Sequence, residues 1–376
     1  MAIIRLAFGF ARFLPLRRRV VFATAHAAAT TGNLAFIRDE LERRSPRIPY
    51  LVIAHRPDAS WQSWLGTFLF NVRSAYHLAT ARLFIVDDYF FPIYVIKPRA
   101  GTTIVQTWHA SGAFKRIGYG VLDKSFGADE DLVARVAIHS NYDICLMASK
   151  AAAVHYSEAF RQPLERFVTD IGMPRTDVLF GDGVDGIKAA VRARYRLPAG
   201  KRVILYAPTF RGPSILRATS PVDLDLEAMH RELGADHVIL LKLHPFVRAS
   251  QTISPAIAGF VIDASDHPDI HELMLVSDVL VTDYSSAIFE FSLLGRPMAF
   301  FAPDHDDYMD ERGFYFDYRT GVPGPVFEAT EDLARWLHAG AFDLARVERF
   351  RAESFEIADG HASERFVDRV VLPALR

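Results

Sequence analysis

Polar clusters follow several apolar runs of the sequence, and the first cluster has the residue types of a phosphate-transfer site. The run at 104–106 leads into His109, and soon after it come Ser111, Lys115 and Arg116. A neutral imidazole, whose ordinary pKa is about 6.5, is able to accept a proton as a general base. A serine at the start of a helix and two nearby cations favour a bound anion. The cluster therefore predicts an anion site beside a titratable base, whereas an isolated histidine would predict only a structural hydrogen bond.

Two further clusters lie in the second half of the chain. Pro208 ends an apolar run, and Thr209 and Arg211 then provide a hydroxyl and a guanidinium of the kind that binds phosphate oxygens. Lys242 and His244 flank the end of the next apolar run. Each cluster is a weak signal alone, but together they predict an edge of the second half that faces phosphate.

The fourth cluster gives the strongest signal. An apolar run ends at Asp283, and Ser285 and Ser286 begin a helix that carries Glu290. Hydroxyls and unpaired backbone N–H groups at a helix start are able to cradle a diphosphate without a glycine motif. Glu290 lies about one helical turn after Ser286 on the same face, so we expect its carboxylate to reach ribose hydroxyls. Ser285 also has the residue type of an ordinary helix cap.

Short apolar runs alternate with helical stretches in two blocks of the sequence. This pattern predicts parallel sheets with crossover helices, and continuously apolar runs are expected where helices cover both faces of a sheet. We therefore predict an α/β protein with two Rossmann-like domains that face a central cleft. The glycine-rich segment at 181–186 is the expected joint, so the domains are residues 1–180 and residues 181–376, the second with closing C-terminal helices.

The cleft between the domains is where we expect the clusters to meet. Ligands of open α/β sheets bind beyond the carboxyl ends of the strands, and all four clusters follow predicted strands. Asp87 and Asp88 also follow a predicted strand. We expect these two carboxylates at the acceptor side of the cleft, where they cap the strand end or act directly.

Composition excludes several classes of protein. Half of the residues are hydrophobic and the formal net charge is only -2, so we expect no nucleic-acid partner. The single cysteine, Cys145, lies in an apolar run and is expected to be a buried thiol. No GxGxxG motif follows a predicted strand, which disfavours a dehydrogenase. No apolar run reaches the ~20 residues that a membrane-spanning helix needs.

The N-terminus is locally basic and aromatic. Arg5, Arg12 and the arginine triplet at 17–19 are mixed with apolar residues, and no acidic residue precedes Asp39. The arginines and Pro15 interrupt the apolar core that a signal peptide would need. We expect a short helix that lies in the headgroup region of an anionic membrane and holds the protein peripherally on the cytoplasmic face of the cell membrane. The alternative is an ordinary first helix that packs on its own domain with a solvated basic edge.

Five segments, in this order, resemble the CDP-glycerol glycerophosphotransferase family of teichoic acid synthesis: QTWHASGAFKRIG, LYAPTFR, LKLHP, DVLVTDYSSAIFEFSLLGRP and DYMDERGFYFDY. The resemblance covers roughly residues 101–318, and the last two segments are highly specific together. The short length and the form of the WHASGAFKRIG segment resemble the primase-type members more than the long polymerases. The resemblance implies a glycosyltransferase-B-like fold, which agrees with two facing domains.

The resemblance also implies roles for single residues. His109 matches the essential histidine of the family's Trp-His motif, and His244 matches a second essential histidine in the Leu-His-Pro motif. Asp283, Ser285 and Ser286 match the segment at the donor diphosphate. On the donor side we therefore expect Thr209, Arg211, Lys242, Asp283, Ser285, Ser286 and Glu290, the last at a position where the family usually has a carboxylate.

The acceptor side is assigned more loosely. The segment ATTGNLAFIRDEL resembles the first loop of the family. On this side we expect Gly32, Asn33, Asp87, Asp88, Ser111 and Lys115. The chain departs from the family at Ala110-Ser111, where members often have Gly-Thr or Ala-Ala after the histidine. This departure leaves the acceptor or the donor variant open.

The activity that the resemblance implies is transfer of glycerol phosphate from CDP-glycerol to a lipid-linked saccharide of the undecaprenyl-diphosphate type, with release of CMP, in the synthesis of a teichoic acid-like polymer. We expect His109 to be the general base and His244, with Lys242 and Arg211, to steady the phosphate charge, although the two histidines are interchangeable in sequence terms. The alternatives are a CDP-ribitol donor, a sugar-nucleotide glycosyltransferase of the same fold, and a non-catalytic membrane-associated protein.

No metal and no cofactor are expected. An acidic cluster has the spacing of a DxD pattern, which is common by chance, and comprises Asp304, His305, Asp306, Asp307, Asp310 and Glu311. The resemblance points instead to transfer in which helix dipoles and basic residues take the place of a cation.

Overall fold

The chain folds into two parallel sheets with helices on both faces. The computed structural model describes residues 1–57, 61–122, 130–212, 224–243, 247 and 253–376, and the side chains at positions 61, 62 and 130 are not described. The inner strands of both sheets are buried along most of their length, as in β8, His237–Leu241, where all residues are buried. Helices on both faces exclude water from such strands, so the apolar runs are continuous.

The first sheet has the strand order β2-β1-β3-β4-β5-β6, and all of its neighbours are parallel. Its strands are β1 Arg17–Thr24, β2 Tyr50–Ala54, β3 Ala81–Val86, β4 Thr103–Gln106, β5 Ile144–Leu146 and β6 Phe167–Val168. The first five lie within apolar runs of the sequence that were predicted as strands, at 17–25, 48–54, 81–90, 102–110 and 142–149. The sixth has only two residues and is too short to give a pattern in the sequence.

The second sheet has the order β12-β11-β10-β7-β8-β9 and is also parallel. Its strands are β7 Arg202–Tyr206, β8 His237–Leu241, β9 Val261–Asp263, β10 Val279–Thr282, β11 Met298–Phe301 and β12 Val326–Phe327. Five of them lie within apolar runs that were predicted as strands, at 202–208, 237–245, 260–264, 278–286 and 297–304, and the two-residue β12 does not. Read from β9, this order is that of a doubly wound dinucleotide-binding sheet.

Helices connect the strands and cover the sheets. In the first half they are α1 Ala2–Ala11, α2 Gly32–Arg44, α3 Trp61–Thr80, α4 Phe91–Tyr94, α5 Glu130–Arg135 and α6 Lys150–Phe160. In the second half they are α7 Val184–Arg194, α8 Leu226–Leu233, α9 Ile270–Val276, α10 Ala287–Ser292, α11 His305–Arg312, α12 Tyr318–Gly321, α13 Thr330–Ala339, α14 Leu344–Ser354, α15 Ala362–Phe366 and α16 Leu372–Ala374. Cys145 is a buried thiol, as predicted. Among the described residues, none of the helices is both long and apolar enough to cross a bilayer.

The end of the chain returns to the first half of the molecule. We expected the closing helices to belong with residues 181–376, but α15 packs against α2 and the turn at 174–179. The carboxylate of Asp177 accepts hydrogen bonds from the backbone N–H groups of Ala362 (3.0 Å) and Ser363 (2.7 Å). A carboxylate at a helix start pairs N–H groups that have no partner within the helix, so Asp177 fixes this crossing.

Candidate active site

The carboxyl edge of the first sheet carries a cluster of two histidines and two aspartates. The winding of this sheet changes direction between β1 and β3, which opens a crevice at their carboxyl ends. His26 follows β1, Asp87 and Asp88 follow β3, and His109 follows β4. Nδ1 of His26 and Nδ1 of His109 each lie 3.5 Å from Oδ2 of Asp88. We call these four residues the His–Asp cluster, and it brings together three residues that the sequence singled out.

His109 is placed to exchange protons with a ligand in the cleft. Its side chain is 49% exposed, and its ring stacks on Trp108 with 4.7 Å between ring centroids. Enclosure of the rest of the ring lowers the pKa of His109, while the carboxylate of Asp88 acts to raise it. The imidazole is therefore neutral near pH 7. Because Nδ1 faces Asp88, Nε2 is the atom that remains to accept a proton.

The two neighbouring aspartates have different environments. Asp87 is buried, and burial raises its pKa to about 6, although His26 acts to lower it. Oδ2 of Asp87 lies 3.8 Å from Nε2 of His26. Asp88 is more accessible, with 22% of its side chain exposed. Only Asp88 therefore faces both the His109 ring and the cleft.

Two buried amides hold the turn that carries His109. Trp108 has φ = +51°, a left-handed conformation that costs a bulky residue about 1–3 kcal/mol. The side chain of Gln106 accepts a hydrogen bond from Trp108 N (2.8 Å) and donates one to the carbonyl of Asp88 (3.0 Å). Asn33 donates to the carbonyl of Trp108 (2.9 Å). These bonds offset the strain and fix His109 relative to Asp88.

Gly32 and Asn33 lie behind this turn. Gly32 begins α2 with φ = +50°, and Asn33 is buried. Oδ1 of Asn33 accepts a hydrogen bond from the backbone of Arg175 at 3.0 Å. The guanidinium of Arg175 in turn donates to the carbonyl of His109. The amide of Asn33 thus binds protein groups on both sides of the turn.

The same turn contacts the second half of the molecule. Oγ of Ser111 donates a hydrogen bond to Oε1 of Glu290 at 2.8 Å, and both side chains are buried. Nε of Arg175 lies 3.8 Å from the same carboxylate oxygen. A Cβ atom at Gly112 would lie 2.1 Å from the ring of Phe289, so only glycine allows this approach. The segment that follows His109 therefore packs directly on α10.

The carboxyl edge of the second sheet holds a network of charged groups. Its winding changes between β7 and β10, where Thr209 and Asp283 meet. Oδ1 of Asp283 accepts hydrogen bonds from the backbone N–H (2.9 Å) and the hydroxyl (3.0 Å) of Thr209. Arg211 donates to Asp283 Oδ2 at 2.8 Å and to Asp304 Oδ2 at 2.6 Å. The predicted Thr209, Arg211 and Asp283 are thus joined with Asp304 of the acidic cluster.

Arg211 is held by two carboxylates. Burial acts to lower its pKa, but Asp283 and Asp304 outweigh burial and raise it. Burial likewise acts to raise the pKa of Asp304, and Arg211 outweighs it so that the pKa lies below its ordinary value. Asp304 is therefore an ionised partner of Arg211. Among the described residues, no group of three or more His, Cys, Asp or Glu side chains is arranged to hold a metal ion.

The remaining predicted residues surround this network. Ser285 and Ser286 are half-buried at the start of α10, where Oγ of Ser285 accepts a hydrogen bond from Ala287 N at 3.2 Å. Nζ of Lys242 donates to the carbonyls of Ser265 (2.8 Å) and His267 (2.6 Å). Nζ of Lys115, expected on the acceptor side, lies 5.5 Å from the ring centroid of Tyr308 in the second half. His244 lies outside the described residues.

Three residues of the site were not singled out from the sequence. His26 stands two positions after β1 and Gln106 is the last residue of β4, so a polar residue at a strand end was an available signal for both. Arg175 lies in the turn at 174–179 and gives no such signal. Only the packing of this turn against α2 brings its guanidinium to His109 and Glu290.

Comparison with known proteins identifies the family of this arrangement. Residues 6–372 match the family model of CDP-glycerol:poly(glycerophosphate) glycerophosphotransferase. The chain is 35% identical over 362 residues to the teichoic acid ribitol-phosphate primase of Bacillus spizizenii, an alignment that covers 94% of this chain and 91% of the relative. It is 34% identical over 287 residues to the teichoic acid glycerol-phosphate transferase of Staphylococcus aureus, covering 72% and 71%.

A solved structure shares the fold. The wall teichoic acid polymerase TagF, in its H548A variant, superimposes with a TM-score of 0.79 at 23% sequence identity, covering 98% of this chain and 93% of that one. The likeness confirms the predicted glycosyltransferase-B-like arrangement of two parallel-sheet domains.

Proposed function

Because the chain belongs to the CDP-glycerol:poly(glycerophosphate) glycerophosphotransferase family, we propose that it transfers a polyol phosphate from a CDP-polyol to a hydroxyl of a lipid-linked saccharide and releases CMP. The acceptor we propose is of the undecaprenyl-diphosphate type, and the product is the primer of a teichoic acid-like polymer. The observation that carries this proposal is the contact of Ser111 with Glu290. This hydrogen bond joins the turn that carries His109 to α10, the helix at which we propose the donor binds.

The proposed reaction uses His109 as the base. The acceptor hydroxyl attacks the polyol-bearing phosphorus while the bond from this phosphorus to the oxygen bridging to CMP breaks. Nε2 of His109 takes the hydroxyl proton, and CMP leaves with the bridging oxygen. Asp88, 3.5 Å from Nδ1, orients the ring and stabilises the imidazolium that forms. Most of the rate enhancement comes from positioning and from charge stabilisation on the diphosphate.

The donor is proposed to bind at the carboxyl edge of the second sheet. Hydroxyls and backbone N–H groups of Ser285 and Ser286 face the diphosphate, and Thr209 and Arg211 lie at the neighbouring strand end. The Arg211 guanidinium binds two carboxylates and the carbonyl of Thr209, and we propose that it fixes the strand ends that face the phosphates. Lys242 supports the adjacent loop, and His244 stays a predicted second histidine of the site.

Glycerol phosphate is the transferred group that the resemblance suggested. The ribitol-phosphate primase, which this chain matches over nearly its whole length, makes ribitol phosphate the second candidate. Both donors present the same cytidine diphosphate to the second sheet, so they differ only at the polyol. The residues that contact the polyol therefore decide between them.

The function is tested by incubating the full chain with a lipid-linked disaccharide and one donor at a time: CDP-glycerol, CDP-ribitol, a UDP-sugar or a GDP-sugar. We expect mass spectrometry to find one added polyol phosphate, and CMP in equal amount, with one of the two CDP-polyols. Transfer of a sugar would establish the glycosyltransferase alternative. Failure with all four donors would contradict the proposal, provided that the same acceptor is a substrate for a known member of the family.

The proposed place of action is the cytoplasmic face of the cell membrane. Helix α1 buries one stripe, Ile4, Phe8 and Ala11, against its neighbours and packs on α3. On the other side, Phe10 is 75% exposed, Phe13 86% and Trp64 of α3 73%. Further exposed apolar side chains of these two segments are Ile3, Leu6, Leu65 and Leu69. We call this region the apolar surface, and Arg12, Arg17 and Arg18 at its edge are also exposed.

An apolar area with a basic edge fits an anionic bilayer. Aromatic and aliphatic side chains enter the boundary between headgroups and acyl chains, and arginines bind lipid phosphates. The lipid-linked acceptor that we propose lies in such a membrane, so a contact through this surface would bring the protein to the membrane that holds its acceptor. Both features suit a peripheral protein.

A further inference from the structure

A cavity of about 520 Å³ lies between the two halves of the molecule, and Arg116, on the segment that follows His109, is part of its lining. Its walls come from the turn at 118–121, from α6 and its end, and from Tyr315 of the second half. The antiparallel bridge between Lys115 and Phe314 closes the halves next to it. Of its lining residues, the sequence singled out Arg116, as one of two cations near a predicted anion site.

Its walls carry hydrogen-bond donors that the protein leaves unused. The Arg161 guanidinium lies over the ring of Tyr119, 3.8 Å from its centroid, and no described residue accepts a hydrogen bond from it. Arg116 donates from Nε to the carbonyl of Phe314 at 3.2 Å, and its Nη atoms have no acceptor in the described part of the chain. Two guanidinium groups are therefore available to a ligand.

The phenol of Tyr315 is a third unused donor. Its oxygen is buried, the backbone N–H of Ile117 approaches it, and its hydroxyl has no acceptor among the described residues. Burial raises the pKa of Tyr315 to about 12, so the phenol keeps its proton at neutral pH. Its ring stacks on His155 with 4.6 Å between centroids, which fixes its direction. A buried donor without a partner costs free energy, which a bound acceptor would recover.

The charge of the walls favours an anion. Arg116 and Arg161 are always protonated, and Glu158 is the acidic residue of the lining. No described carboxylate lies within 4.0 Å of either guanidinium, so neither charge is neutralised by an ion pair. A Cβ atom at Gly120 would lie 3.6 Å from the phenol oxygen, an ordinary van der Waals distance, so the backbone of Gly120 borders the phenol.

We propose that this cavity is a subsite for a phosphate group of the acceptor molecule. Two guanidiniums and a phenol supply donors from several directions, as the oxygens of a tetrahedral phosphate require. Arg116 lies seven positions after His109 on the same segment, which is why we assign the phosphate to the molecule that His109 is proposed to deprotonate. The inference rests on the proposed function for its ligand, but the binding site itself does not.

Binding is tested without any enzymatic reaction. The full chain is titrated with sn-glycerol 3-phosphate and with inorganic phosphate by calorimetry. Removal of one hydroxyl in Tyr315→Phe is expected to weaken binding about three- to tenfold, and Arg161→Gln about tenfold or more. The matched control Arg349→Gln, at an exposed arginine of α14, is expected to change nothing. Equal affinity of all four proteins, each with an unchanged Tm, would overturn the proposal.

Kinetics then identify the source of the phosphate. With acceptors that carry or lack a phosphate, Tyr315→Phe and Arg161→Gln are expected to raise KM only for the phosphate-bearing acceptor and to leave KM for the CDP-polyol unchanged. A rise in KM for the donor alone would overturn the assignment to the acceptor. If no donor is turned over but the variants still lose phosphate binding, the proposed function fails and the anion site stands.

Discussion

At the level of single residues, Asp88 links two histidines that come from different strand ends. It holds Nδ1 of His109 while the buried Asp87 has a pKa of about 6. Adjacent residues of a strand end point in opposite directions, so one carboxylate faces the cleft and its neighbour faces the core. The chemistry that we propose depends on this division, because only the more accessible carboxylate, that of Asp88, lies against the ring of the base.

The pH dependence of transfer tests the role of His109. The pKa of His109 lies below the ordinary histidine value of about 6.5, so the neutral base persists to lower pH. We therefore expect kcat to fall only when the pH drops below about 6.5. His109→Ala is expected to lower kcat by a factor on the order of 10²–10⁴. It is also expected to abolish the fall of kcat at low pH, which we call the acid limb of the pH profile. Asp88→Asn removes a group that raises the pKa, so its acid limb should move to still lower pH while kcat falls.

The control for this series is His338→Ala, at an exposed histidine of the second half. It should leave both kcat and the pH profile unchanged. Near-normal turnover by His109→Ala, or an acid limb that Asp88→Asn does not shift, would contradict the assignment. The same substitution at His244 is expected to nearly abolish transfer while the fold persists.

At the level of elements, α1 is a helix with two apolar faces. One face packs on α3 and the other stays exposed, which few helices of a globular protein do. The exposed face continues onto α3, where Trp64 stacks on Phe68 with 6.4 Å between centroids. The two helices thus form one surface, and the sequence indicated only its first half.

Vesicle binding tests the apolar surface. The double substitution Phe10→Ser and Phe13→Ser in the full chain is expected to weaken sedimentation with phosphatidylglycerol vesicles about tenfold or more, because each phenyl ring loses its apolar burial. Trp64→Ser is expected to act in the same direction. Binding should also weaken at high salt, since the exposed arginines bind lipid phosphates through screened charges.

The matched control for the apolar surface is Leu344→Ser, which replaces an exposed apolar residue of α14. It is expected to sediment like the parent protein. Unchanged sedimentation of the Phe10 and Phe13 variant, or equal binding to uncharged vesicles, would refute the proposed membrane contact.

At the level of the whole molecule, the two halves are joined at the turn of His109 and by the returning C-terminal segment. Arg44 and Asp368 form an ion pair at 3.0 Å, and Asp177 caps α15. The exposed pair contributes little, because water screens it. Of these two contacts, the partly buried cap is therefore expected to contribute more to the stability of this crossing.

Urea denaturation tests how much the Asp177 cap contributes to stability. Asp177→Ala removes two hydrogen bonds at a helix start and is expected to lower the free energy of unfolding by about 1–2 kcal/mol in urea. Asp170→Ala, whose exposed carboxylate pairs with Arg369 of the same segment, is the control and should change it by less than about 0.5 kcal/mol. Equal urea midpoints for Asp177→Ala and the parent would show that the crossing does not depend on the cap.

The sequence by itself determined the fold class, most strands and one edge of the site. Continuously apolar runs that alternate with helices leave few arrangements other than parallel sheets, and the carboxyl ends of parallel strands share one edge. The neighbourhood of His109, Asp87 and Asp88 followed from that geometry. The five motif segments indicated the family, and the comparisons with known proteins confirmed it.

Only the tertiary structure decided which side chains pair across the cleft. Ser111 and Glu290 are 179 positions apart, and Arg211 and Asp304 are 93 apart. The return of α15 to the first half, the partners of Arg175 and the cavity at Tyr315 are also contacts between distant segments. Local periodicity reports which face of a strand or helix is buried, but it contains no information about which distant side chain lies opposite that face.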